Sequence, residues 1–118
     1  MAITFDHRNN RRLHLKKPVD AMLLGGRVYI VDMSLDSVGI EHDFEIKLGA
    51  TVYLEFLWGQ TNFRLPCTVA RTRELRSGRS RSGLTIRSNA ESVAEYRKRI
   101  EAGLAKLREI EASRPSSL

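Results

Sequence analysis

Residues 51 to 69 read Thr51-Val52-Tyr53-Leu54-Glu55-Phe56-Leu57-Trp58-Gly59-Gln60-Thr61-Asn62-Phe63-Arg64-Leu65-Pro66-Cys67-Thr68-Val69, and their dominant period is two. Val52, Leu54, Phe56 and Trp58 alternate with Thr51, Tyr53, Glu55 and Leu57; Phe63, Leu65, Cys67 and Val69 alternate with Asn62, Arg64, Pro66 and Thr68. Successive side chains of a strand point to opposite faces, so each run predicts a half-buried strand, with Gly59-Gln60 turning the chain between them.

Outward from this pair, shorter runs of the same kind cover residues 13–24, 27–31, 38–44 and 83–87, about six strands in all. Gly25-Gly26 reads as a two-residue hairpin turn, Leu48-Gly49 as a further turn, and Ser77-Gly78 as the tip of a basic loop over residues 71–81. Pro18 and Pro66 lack an N–H for a ladder and mark edges or bulges. Connections this short demand antiparallel pairing, because a parallel neighbour needs a crossover of about a dozen residues or more. Closing the sheet removes its exposed edges. The period becomes helical after Ser88: Val93, Tyr96, Ile100, Leu104, Leu107 and Ile110 form one stripe, opposite Glu95, Arg99, Lys106 and Glu109. A helix over residues 90–112 follows, capped by Ser88 or Asn89, with Glu91 at the positive end of its dipole and Pro115 beyond its stop.

The expected fold is therefore all-β: a small six-stranded antiparallel barrel with a C-terminal α-helix. Residues 1–12 form a flexible arginine-rich arm, 13–112 the barrel and helix, and 113–118 a frayed tail. The stripe packs on the barrel, while the helix, longer than the barrel is wide, can offer Leu107 and Ile110 to a second copy as a homodimer contact.

With 118 residues, 42% apolar and 29% charged, the chain suits one domain with one core. Its single cysteine, Cys67, excludes an internal disulfide and lies in a strand run, where a buried thiol behaves as a small hydrophobe. No apolar stretch approaches a membrane span, and the first dozen residues lack a signal peptide's apolar centre, so a cytoplasmic location is expected. His7, His14 and His42 lack the close spacing of a metal set, which argues against bound metal. No phosphate loop, G-x-S-x-G elbow or H-E-x-x-H helix appears, and no cofactor or catalytic residue is expected.

The net charge of +6 is unevenly spread. Residues 1–31 carry six basic and two acidic groups, 32–58 one and six, and 59–87 seven and one. Three arginines, Arg8, Arg11 and Arg12, fall just before the first strand at Leu13. A guanidinium is a rigid fork of donors that matches phosphate oxygens and the O6/N7 edge of guanine, and it also stacks on a base. A solvated terminal run is the alternative. Asp32-Met33-Ser34-Leu35-Asp36-Ser37-Val38-Gly39 reads as a turn between a strand ending at Val31 and one starting near Val38. Its Asp32 carboxylate can accept a guanine's N1–H and N2–H, and Ser34 can bond base or phosphate; equally, both can satisfy neighbouring backbone groups.

Together these two segments resemble the PilZ domain family, whose pattern is R-x-x-x-R before the first strand and [D/N]-x-S-x-x-G between the second and third. Arg8-Asn9-Asn10-Arg11-Arg12 matches the first part; Asp32 and Ser34 match the second, with Ser37 in the place of the glycine and Gly39 two residues on. The resemblance implies a six-stranded barrel that binds cyclic di-GMP and signals to a downstream protein. In that likeness Arg8 and Arg12 clamp phosphates and guanine faces, Arg11 adds a contact, Asp32 and Ser34 read a guanine edge, and Ser37 and Gly39 complete the turn. The alternative is a degenerate PilZ domain that no longer binds nucleotide and acts through protein contacts alone. Binding of nucleic acid is disfavoured, because the basic loop over residues 71–81 contains no aromatic platform.

Overall fold

The computed structural model describes residues 5–9, 12–87 and 91–113, with side chains from residues 12–87 and 91–109. Seven strands precede one helix: β1 (Phe5–Asn9), β2 (Arg12–Leu23), β3 (Gly26–Ser34), β4 (Ser37–His42), β5 (Thr51–Trp58), β6 (Thr61–Glu74), β7 (Ser80–Ile86) and α1 (Glu91–Ser113). Strands β2 to β7 pair antiparallel in the order β2-β3-β4-β7-β6-β5, and β5 pairs back onto β2, so six strands close a ring. Strand β1 lies beside the start of β2, on the side that β5 takes at its end: Phe5 faces Leu15, whereas Leu23 faces Leu54. Between these halves the register slips from His14 to Val19, across Pro18, which has no N–H for the ladder.

The alternation seen in residues 51 to 69 fills the ring. Val52, Leu54, Phe56, Phe63, Leu65, Cys67 and Val69 are buried, joined by Val28, Ile30, Met33, Val38, Ile40, Leu84 and Ile86 from the opposite wall. Helix α1 covers this core with Val93, Tyr96, Ile100 and Leu104, all buried. The Tyr96 ring meets Phe56, Trp58 and Phe63 edge-on, its centroid 6.3 to 6.5 Å from theirs, the arrangement that ring quadrupoles favour. Arg99 pins the helix further by donating to the Trp58 carbonyl (2.8 Å) and Thr61 Oγ1 (2.6 Å). Leu107 packs against the core, so the stripe faces its own barrel at least that far; the Ile110 side chain lies outside the described ones. Among the described residues no helix is long and apolar enough to cross a membrane.

Four boundaries differ from the sequence expectation, each for a local reason. Phe5–Asn9 is a strand within the expected arm, where its mixed composition shows no apolar period; residues 1–4, 10 and 11 lie outside the described residues, as do the expected caps Ser88 and Asn89 and residues 114–118. The first hairpin turns at Leu24-Gly25, both at positive φ (53° and 77°), because Gly26 opens β3 with the Phe44 ring against its Cα, where no Cβ fits. Strand β3 runs on to Ser34 and buries Met33 completely, leaving only Leu35-Asp36 as the turn. Finally, the expected basic loop is largely ladder: Arg71, Thr72, Arg73 and Glu74 pair with Gly83, Ser82, Arg81 and Ser80.

Burial pushes the Cys67 thiol up to about 12. Since the thiolate is the reactive form, Cys67 should resist a thiol-specific disulfide reagent at pH 8 in the folded protein and react fully in urea. Rapid labelling of the native state would show that this wall of the barrel opens.

Candidate functional site

Two β-bulges build the site on the outer face of the barrel. In β3 the register slips between Ile30, facing Ile40, and Asp32, facing Gly39; the extra residue, Val31, turns Asp32 outward. In β6 it slips between Val69, facing Leu84, and Arg71, facing Gly83; the extra residue, Ala70, turns Arg71 outward. Gly39 and Gly83 face each other across β4 and β7. One row thus crosses four strands as Asp32, Gly39, Gly83 and Arg71.

The glycines in this row are spaces that charged side chains occupy. A Cβ on Gly39 would fall inside contact distance of the Asp32 carboxylate, and one on Gly83 would lie 3.0 Å from Arg71 Nε. Both side chains lie along the glycine floor. Around them opens a cleft of about 730 Å³, within the usual range for small-molecule sites of about 300–1,000 Å³. Beneath the floor, His42 is fully buried and spans the same strands. Its Nδ1 lies 2.6 Å from the Phe44 carbonyl, which only accepts, so Nδ1 carries the proton. Its Nε2 lies 2.7 Å from Ser82 Oγ, which lies 2.8 Å from Thr72 Oγ1.

Asp32 is 5% exposed although it points outward, because two guanidinium groups cover it. Arg12, from the first residue of β2, donates to Asp32 Oδ1 and, with its other terminal nitrogen, to Ser37 Oγ. Arg81 donates to Asp32 Oδ2 at 2.7 Å. A carboxylate taken this far from water is stable only when both its oxygens are paired, and here both are. The β3–β4 turn beside it is held by Ser34, whose Oγ accepts from the N–H groups of Asp36 (3.3 Å) and Ser37 (3.0 Å) and lies 2.9 Å from Ser37 Oγ. From inside, the Tyr96 hydroxyl donates to the Ser34 carbonyl at 2.7 Å. Burial is the main cause that pushes the Tyr96 phenol up, so it stays a donor.

Of the residues singled out from sequence, Arg12, Asp32, Ser34, Ser37 and Gly39 come together here. Ser37 takes a backbone without positive φ, and its hydroxyl accepts from Arg12, a contact that a glycine cannot make. Arg8 is the extra residue of a bulge in β1, between the pairs His7–Leu13 and Asn9–Arg12, which sets its backbone beside that of Arg12. Its side chain is outside the described ones, and Arg11 lies outside the described residues. Arg71, Arg73, Arg81 and Gly83 also line the cleft and were not singled out. Their signal was present: Arg71 and Arg73, like Arg79 and Arg81, are two apart, the spacing of one strand face.

Neither a protein-family model nor a curated protein sequence matches the chain. Among solved structures, it is similar to the inhibitor of motility (MotI/DgrA) of Bacillus subtilis, with a TM-score of 0.68 at 12% sequence identity. The match covers 92% of this chain and 54% of that one, so the chain spans about half the length of that structure. At this identity the likeness concerns the fold, a PilZ-like barrel with a C-terminal helix.

Gly39→Ala should destabilise the protein by about 1–3 kcal/mol, because the new methyl displaces a paired carboxylate. In an Asp32→Ala background the same change should cost less than half as much, a coupling that urea unfolding of the four proteins measures. Strict additivity would contradict the contact between Gly39 and Asp32.

Proposed function

We propose that this protein is a non-catalytic receptor for cyclic di-GMP that signals to a downstream protein, with the cleft around Arg12 and Asp32 as its binding site. The observation that carries the reading is the convergence of Asp32 and Ser37, 20 and 25 residues further along the chain, on the Arg12 guanidinium beside the cleft. A guanine edge needs an acceptor such as the Asp32 carboxylate, and a phosphodiester needs forked donors beside it. The PilZ-like fold supports the same reading.

In this account the charges of the site, which pair with one another, are the groups that the ligand engages. Arg12 exchanges the Asp32 carboxylate and Ser37 hydroxyl for a phosphodiester of the ligand, while Arg81 keeps one Asp32 oxygen paired. The oxygen released accepts from the N1–H or N2–H edge of guanine, so the buried charge is never left unpaired. By the same likeness Arg8 and Arg11 add contacts to the nucleotide, and Ser34, Ser37 and Gly39 shape the turn beside it. Because Tyr96 holds the same turn from the helix, binding alters the support of α1 and the surface it shows to a partner.

Calorimetric titration of cyclic di-GMP should give saturable binding that Arg12→Ala weakens at least tenfold, about 1.4 kcal/mol or more, with no comparable heat from GTP. Absence of binding to the folded wild-type protein would overturn the receptor reading. It would favour the alternative in which Arg12, Asp32 and Arg81 are a structural clasp in a domain that works through protein contacts.

A further inference from the structure

Beyond the arginines before the first strand, the far wall of the cleft carries cations of its own. We infer that Arg71 and Arg73, on β6, form a second anion subsite that takes the other phosphodiester of the cyclic dinucleotide. This inference rests on the receptor reading above and extends its site across four strands.

Charge balance is the first ground. Two of the four arginines that line the cleft, Arg12 and Arg81, are already engaged with Asp32. Arg71 and Arg73 line the same cleft, are exposed, and have no carboxylate partner among the described residues. Two neighbouring guanidinium groups on one wall repel each other and attract an anion into the space before them.

Placement is the second ground, and it is independent of the first. The bulge at Ala70 exists at the cost of ladder regularity, and its effect is to put Arg71 on the outer face. Once there, the stem of the side chain, Cγ to Nε, lies over Gly83. A long side chain laid along a glycine is restricted before any ligand arrives, which lowers the entropy lost on binding. The arrangement mirrors Asp32 over Gly39 on the other side of the floor.

Position in the row gives the third ground. Asp32 and Arg71 are three strand spacings apart, roughly 14 Å between backbones at about 4.8 Å per strand. The Asp32 and Arg71 side chains lie over Gly39 and Gly83 between these ends, so the ring rests above them with a phosphodiester toward each wall. Arg12 serves one wall, and Arg71 with Arg73 the other.

The test is titration of cyclic di-GMP into wild type, Arg71→Ala, Arg73→Ala, Arg71→Lys and Arg76→Ala, with urea midpoints confirming that each is folded. Arg76 is exposed on the same hairpin but does not line the cleft, so it controls for net charge. Arg71→Ala and Arg73→Ala should each weaken binding at least fivefold, Arg71→Lys should recover only part of the loss because an ammonium lacks the fork, and Arg76→Ala should stay within twofold. Wild-type binding that both cleft variants leave unchanged, or that Arg76→Ala reduces equally, would overturn the second subsite while leaving the receptor reading intact. No wild-type binding would overturn both.

Discussion

The Asp32 carboxylate, turned outward by a bulge and yet almost wholly enclosed, is the constraint around which the site is organised. An ionised group so removed from water must be paired, and its partners come from opposite ends of the chain: Arg12 opens β2 and Arg81 lies in β7. Meeting that requirement fixes the start of β2 against β3 and β4. It also dictates glycine at position 39, since the carboxylate occupies the space where a side chain would begin. A local charge problem thus sets backbone, sequence and strand pairing at once.

The same turn is shared between the cleft and the helix. Arg12 grips Ser37 from outside, while Tyr96 donates to the Ser34 carbonyl from within and Arg97 reaches the Leu35 carbonyl at 3.3 Å and Asp36 at 3.8 Å. Tyr96 is also the centre of the aromatic cluster that seats α1 on the barrel. A short path of direct contacts through this turn therefore joins the cleft to the helix. In a receptor, this is the element whose equilibrium a ligand on the outside can bias.

How much of this was legible from sequence follows from the range of the interactions. The β5–β6 hairpin was readable because apolar alternation is local and its inward face is buried throughout. The positions of Arg12, Asp32 and Ser34 were readable because they sit in short patterns with fixed spacing. Ser37 stood where the resembled family has glycine, and only the structure gives it a role, as acceptor for Arg12. The far wall was misread as a loop because Arg71 to Arg81 is polar on the face that shows and because the Ala70 bulge interrupts the period of two. Arg81 lies 49 residues from Asp32, and no local pattern pairs residues so far apart.

The account turns on whether cyclic di-GMP takes Arg12 away from Asp32 above the Gly39–Gly83 floor. Nuclear magnetic resonance of ¹⁵N-labelled protein during titration reads this directly, through the backbone amides of Gly39 and Gly83 and the Nε–H of Arg12 and Arg81. The account predicts that the Arg12 and glycine signals shift together and saturate, with Arg81 following by a smaller amount because its pairing to Asp32 persists. Saturable binding that leaves these signals in place, and moves those of the exposed Met22 on β2 and Tyr53 and Leu57 on β5 instead, would contradict it.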